Sequence, residues 1–277
     1  MSANFPNPAE LPSCSGPDGI LYDFNYGARV LLPEGKWHVI LMDDDSGNIL
    51  FSCDSEGGWV TSNKKYYVRF RIQVFHQGSA SPVLDETLDM KDKPVVIFFP
   101  TGTLGDMLGW FHYAERFRQL HRCQLECVMG QEIIELLSAQ YPEIVFSTKE
   151  NLQTVNPYAS WYVGLFFKGD TTHQPIDFRK VGFHRNAGYI LGVDPRECPP
   201  RLKLDAERKI AEPYVCIAAQ STNQAKYWNN GHGWAEVVAH LKSLGYRVLC
   251  IDRHAHYGQG FVWNHIPQGA EDFTGDI

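Results

Sequence analysis

Two loops in this sequence carry the residue types best suited to chemistry. The first is Thr101-Gly102-Thr103-Leu104-Gly105-Asp106, which follows the apolar run 95–99 and Pro100 and precedes residues with helical spacing. Glycines in such a turn let the backbone approach a ligand closely, and a helix start offers unpaired N–H groups. A carboxylate at that start would repel phosphate, so Asp106 suits a neutral sugar or hydroxyl better than a diphosphate. Two roles fit it: a general base, or an N-cap that accepts bonds from its own helix. Local sequence leaves both open. The stretch is neither a GxGxxG fingerprint nor a Walker loop, because no Gly-Lys-Ser/Thr follows.

The second loop, residues 218–234, reverses the electrostatics. Gln220, Ser221, Thr222 and Asn223 supply hydroxyl and amide donors, and Lys226 adds a positive charge. That set suits a nucleotide diphosphate; the plainer reading is a polar surface loop with one solvated lysine. Trp228 and Trp234 read as packing residues. Asp252 could meet a ribose hydroxyl, though a capping role for its loop is commoner. His254 and His256 lack a carboxylate partner and read as solvated. His112, His121 and His184 fall on expected helices and read as surface or packing residues.

The elements that must position these loops change character along the chain. Residues 20–90 read as short strands with no helical period. Residues 36–53 place two apolar runs around an Asp-Asp-Ser-Gly-Asn turn, a hairpin signal, and Val68, Phe70, Ile72 and Val74 alternate with polar neighbours. From residue 94, apolar runs at 95–99, 124–129, 144–147 and 162–167 alternate with amphipathic segments at 107–121, 131–139 and 178–192, the pattern of a parallel α/β sheet. Met107, Trp110, Phe111, Ala114, Phe117 and Leu120 recur at steps of three and four, giving the first helix a core face. Residues 194–213 break the pattern as a linker. A second strand–helix–strand series then runs through "YVCIAAQ", "GWAEVVAHLKSLG" and "YRVLCIDRHAHYG".

The expected architecture is therefore an all-β N-terminal barrel or sandwich (1–92), a Rossmann-like domain (93–195), a linker (196–212) and the start of a second Rossmann-like domain (213–277), incomplete in this chain. Ligands favour the cleft between two such domains. A carboxylate loop on one and a cationic donor-rich loop on the other is the layout of a two-domain nucleotide-sugar glycosyltransferase, the GT-B type.

Composition narrows the choice. The chain has 277 residues and 44% apolar content, which is globular, and 25 Lys plus Arg against 32 acids give a net charge of −7. A general nucleic-acid binder would need a basic surface instead. Seven cysteines are scattered, with Cys216 and Cys250 inside apolar runs that read as buried strands. Reduced thiols, a polar Pro-rich start without a signal peptide and no apolar stretch near the roughly 20 residues that span a bilayer point to a cytoplasmic protein.

Four segments, "YDFNYGARVLLPEGKWHV", "FPTGTLGDMLGW", "DFRKVGFHRNAGYILGVDPRE" and "QAKYWNNGHGW", make the chain resemble the bacterial autotransporter heptosyltransferases along its whole length. The resemblance implies a GT-B core, ADP-heptose as donor, serines of an autotransporter adhesin as acceptors, and a homo-oligomeric, dodecameric assembly. It places the catalytic carboxylate at Asp106 and donor contacts at Thr103, Leu104, Met107, Gln220, Thr222 and Lys226. It also implies iron bound by cysteines near the family's C-terminus. No counterpart of those cysteines occurs before Ile277, so no cofactor and no metal ligand is expected in this chain. Two rivals remain: a non-catalytic assembly fragment of such an enzyme, and an unrelated α/β nucleotide-binding oxidoreductase, which the absent GxGxxG disfavours.

Overall fold

The computed structural model describes residues 8–203, 207–221, 223–260 and 262–275. These form two compact units divided between Lys203 and Leu204. In the first, short strands β1 (Cys14–Ser15), β2 (Leu21–Asn25), β3 (Arg29–Leu32), β4 (Trp37–Asp43), β5 (Asn48–Ser55), β6 (Gly58–Thr61), β7 (Phe70–His76) and β8 (Leu84–Thr87) precede the first α-helix. Strand β9 (Pro94–Phe98), helix α1 (Leu104–His121), β10 (Gln124–Val128), α2 (Gln131–Leu137), β11 (Val145–Ser147) and β12 (Ala159–Tyr162) follow, then helices α3 (Phe178–Val181) and α4 (Arg185–Leu191).

Strands β5-β4-β7-β8 make an antiparallel sheet, and the expected hairpin pairs Asp43 with Asn48. Alternation buries Phe70, Ile72 and Val74, as a half-buried strand requires. The remaining N-terminal strands do something the sequence reading did not anticipate. Order β11-β10-β9-β12-β2-β3-β6 runs through one sheet, with β1 on β2, and β2 lies parallel to β12 through Phe24↔Ala159 and Asn25↔Ser160. Asn25 Nδ2 donates to the Pro157 carbonyl at 2.6 Å. Buried Asp23 holds Arg29 through bonds of 2.8 and 2.6 Å, fixing the turn that enters β3. One apolar core extends from Ile20 to Val193. The boundary expected at 92/93 therefore does not separate compact bodies.

The parallel part is built as buried strands usually are, apolar on both faces. Val95 and Ile97 of β9 face the main core with Trp110, Phe111 and Phe117 of α1. Val96 and Phe98 face a smaller cluster with Val128 and Tyr162. Three local expectations shift. The last strand lies at 159–162 and not 162–167. The helix expected over 178–192 breaks into α3 and α4 at Gly182, whose φ of +97° a β-carbon would oppose. Leu120, expected in the core, is 63% exposed, because α1 has reached its last turn there.

In the second unit, β13 (Tyr214–Ile217), β14 (Arg247–Cys250) and β17 (Glu271–Asp272) form a parallel sheet. Helix α5 (Gly233–Ser243) covers it, and β15 (Tyr257–Gln259) and β16 (Val262–Asn264) form a hairpin. Ile217, Val238, Val248 and Cys250 make its core. Cys216, expected to be buried, is exposed: β13 is an edge strand, and only Val215 and Ile217 alternate toward the α5 side. All seven cysteines are free. No helix among the described residues is long and apolar enough to cross a membrane.

Candidate functional site

The first loop leaves β9 where the sheet changes direction. From β9 the chain passes to β10 and β11 on one side, then returns to β12 on the other. The carboxyl ends of β9 and β12 thus flank the topological switch point, where open α/β sheets bind ligands. Thr101 lies against β12's exit, its Oγ1 3.5 Å from where a β-carbon on Gly164 would sit. Fully buried Asn186 of α4 donates to the Gly164 carbonyl at 3.2 Å, and its Oδ1 has no hydrogen-bond partner. Gly102, at φ +146°, folds tightly on the helix start: a β-carbon there would meet Trp110 at 3.0 Å and Asp106 and Met107 at 3.2 Å.

Asp106 sits three residues after the N-cap Thr103. Its Oδ2 accepts the Thr103 backbone N–H at 2.7 Å and the Thr103 hydroxyl at 3.0 Å, the reach-back bond of a capping box. Both bonds fall on one oxygen. Oδ1 accepts none among the described residues, so the cap leaves half the carboxylate available to take a proton. Thr103 and Leu104 are exposed, whereas Met107 packs into the core.

The second loop is organised around Asp252. Its buried carboxylate accepts Ala219 N–H at 2.8 Å and Gln220 N–H at 3.1 Å, which is the loop-capping role and not a free ribose contact. The Gln220 side-chain amide donates to the His254 carbonyl. Lys226 closes a 3-10 turn, is exposed, and has no ion-pair partner among the described residues. Thr222 lies outside the described residues. No hydrogen bond links Gln220 to Lys226 among the described residues.

Beside this loop lies a cleft of about 530 Å³ walled by Trp228, Trp234, Trp263, Tyr227 and Asn230. Trp228 meets Trp234 edge-on at 5.6 Å and 80°, so these two do pack on each other. Trp228 also crosses the start of α5, where a β-carbon on Gly233 would approach it to 2.5 Å. Trp263, 67% exposed, gives the cleft an open aromatic wall that the sequence reading missed.

An α/β scaffold with a polar loop at the switch point of its parallel strands belongs to the class of folds that bind ligands there, and comparison with known proteins narrows that class. A sequence profile described as "Glycosyltransferase TibC, N-terminal domain" matches residues 16–78. The chain is 73% identical over its full length to the autotransporter heptosyltransferase BAHTCr of Citrobacter rodentium (strain ICC168), covering 68% of that protein. It is 71% identical over 99% of its length to the autotransporter heptosyltransferase TibC of Escherichia coli O78:H11 (strain H10407 / ETEC), covering 67% of it. A crystal structure described as dodecameric iron-containing heptosyltransferase TibC in complex with ADP-D-beta-D-heptose matches with a TM-score of 0.96, over 99% of this chain and 71% of that one. The chain belongs to the autotransporter heptosyltransferases and is thereby a glycosyltransferase.

These relatives overturn one expectation. No cofactor was expected, yet the TibC structures that match nearly all of this chain are iron-containing, so iron goes with the family. Among the described residues no group of three or more His, Cys, Asp or Glu could hold a metal.

Proposed function

We propose that this chain is a protein O-heptosyltransferase that moves heptose from ADP-heptose to serine hydroxyls of an autotransporter adhesin, with Asp106 as general base. The observation that carries the reading is the free Oδ1 of Asp106 on a rigid helix start at the switch point. A serine hydroxyl is a weak nucleophile at neutral pH. A carboxylate within hydrogen-bond reach takes its proton as the oxygen attacks the anomeric carbon. Thr103 and Leu104 contact the sugar from the loop, and Met107 supports it from beneath. In the second unit, Gln220, Thr222 and Lys226 are assigned to the donor, with Lys226 as the charge that stabilises the departing diphosphate. A single displacement inverts the anomeric configuration. The GT-B description of the two α/β units, dodecameric assembly as in TibC, and a cytoplasmic location supported by seven free thiols belong to the same reading.

The test is incubation of the protein with ADP-heptose and a serine-rich adhesin fragment, followed by peptide mass spectrometry. Heptosyl additions on serine residues are expected. An unmodified fragment, with ADP-heptose bound but not consumed, would leave only an assembly role.

A further inference from the structure

The first unit contains a second cleft of about 430 Å³, within the roughly 300–1,000 Å³ range of ligand pockets. One wall is a face of α1 carrying Gly105, Leu108, Gly109 and His112; the other is the segment 197–200 with His184. The glycines make this face low. A β-carbon on Gly105 would meet nothing within 4 Å, and one on Gly109 would run into the His184 ring.

His112 is the feature that needs a cause. It is 4% exposed, and neither ring nitrogen has a hydrogen-bond partner. The Arg196 carbonyl, which accepts Arg116 Nη1 at 2.5 Å, lies near enough to act on the ring, but its approach falls short of hydrogen-bond geometry. An unpaired buried imidazole destabilises a fold, and a leucine or phenylalanine there would not. Burial, helped by the Arg116 charge, pushes its pKa down to about 4. The ring is therefore neutral at physiological pH, with one donor and one acceptor nitrogen. A hydroxyl or a peptide group matches that pair; a diphosphate does not.

We propose that this cleft is the docking groove for the acceptor polypeptide, an extended neutral segment whose hydroxyl or backbone amide pairs with His112. The inference rests on the transferase reading of Asp106. The α1 wall of the groove starts at Gly105, the residue before that carboxylate, in the first turn of the helix. Leu108, Pro199 and Pro200 give apolar side walls. Glu197 is balanced by Arg185 at 3.4 Å, which keeps the rim near neutral.

Two measurements decide the matter. His112→Phe should fold at least as stably as the parent and bind ADP-heptose unchanged, while KM for the adhesin fragment rises about tenfold, the loss of one hydrogen bond. An unchanged acceptor KM would assign His112 to packing and overturn the proposal. The second measurement needs neither folding of a variant nor turnover. Cys198 is exposed and lines the groove, so its alkylation by N-ethylmaleimide, followed by peptide mass spectrometry, should slow at least fivefold under saturating adhesin fragment. Labelling at the same rate with bound fragment would overturn the groove, as would protection by ADP-heptose alone. Because protection is read without catalysis, protection without heptosyl transfer would sustain the groove while rejecting the transferase reading.

Discussion

The two loops assigned to chemistry are held in opposite ways. The Asp106 loop rests on a helix whose Trp110, Phe111, Ala114 and Phe117 are almost fully buried, and Gly102 packs it onto that helix. The second loop leaves an edge strand, and its described residues are tied by the buried Asp252 carboxylate, the Gln220 side chain on the His254 carbonyl and the Trp263 N–H on Gln224 Oε1. A base must stay within tenths of an ångström of its proton, so a stiff mounting helps. A loop that admits and releases a nucleotide gains from few anchors. Disturbing the first should therefore cost the fold, and disturbing the second should cost donor binding.

The largest effect expected is from removing residues 1–90. That deletes β2 from its pairing with β12 and opens the shared core, so the remainder should aggregate or lack a cooperative melting transition. Recovery of a folded, ADP-heptose-binding remainder would restore the idea of a separable β domain. Next comes Trp110→Ala. The residue is 1% exposed and its Nε1 donates to the Phe183 carbonyl at 2.9 Å. A loss of about 3–5 kcal/mol is expected in denaturant unfolding.

Lys226→Ala should act oppositely, with melting unchanged and about 2–4 kcal/mol lost in transition-state stabilisation, if the lysine serves as a preorganised charge contact. Kinetics with varied ADP-heptose would show it, and normal kcat/KM for the donor would remove Lys226 from the site. Asp252→Ala leaves two backbone N–H groups without their partner. It should cost about 1–3 kcal/mol and weaken ADP-heptose binding without touching the first unit.

A pH dependence tests the first unit alone. Burial depresses both His112 and His121 from the ordinary 6.5 to about 4. The unfolded chain then binds protons that the folded chain refuses, so stability is full above pH 6.5 and falls as pH drops from 6.5 toward 4. The loss should be on the order of 1–3 kcal/mol per histidine. Melting temperatures across that window, for the parent and for His112→Phe, should show a shallower slope in the variant.

Much of this was legible in the sequence because it is local. The hairpin at 37–55, the strand–loop–helix around Asp106 and the core face of α1 follow from alternation, turn residues and helical period. The joining of β2 to β12 was not legible, since no local pattern names a partner more than a hundred residues away. The groove was hidden for a similar reason. His112 looks like a surface or packing residue until α4 and residues 194–200 cover a second side of α1, leaving His112 buried beside Tyr113, which bonds the Pro195 carbonyl. Asp106 was legible as an ambiguity, cap or base, and the free Oδ1 shows that one does not exclude the other.

Asp106→Asn tests the central claim most directly, because asparagine keeps the size and a side-chain oxygen for the reach-back bond from Thr103 N–H but cannot accept a proton. If Asp106 is the base, transfer to the adhesin fragment falls by about 10²–10⁴, while melting and ADP-heptose affinity stay at parental values. If the variant transfers heptose at the parental rate, Asp106 is a helix cap and the base lies elsewhere.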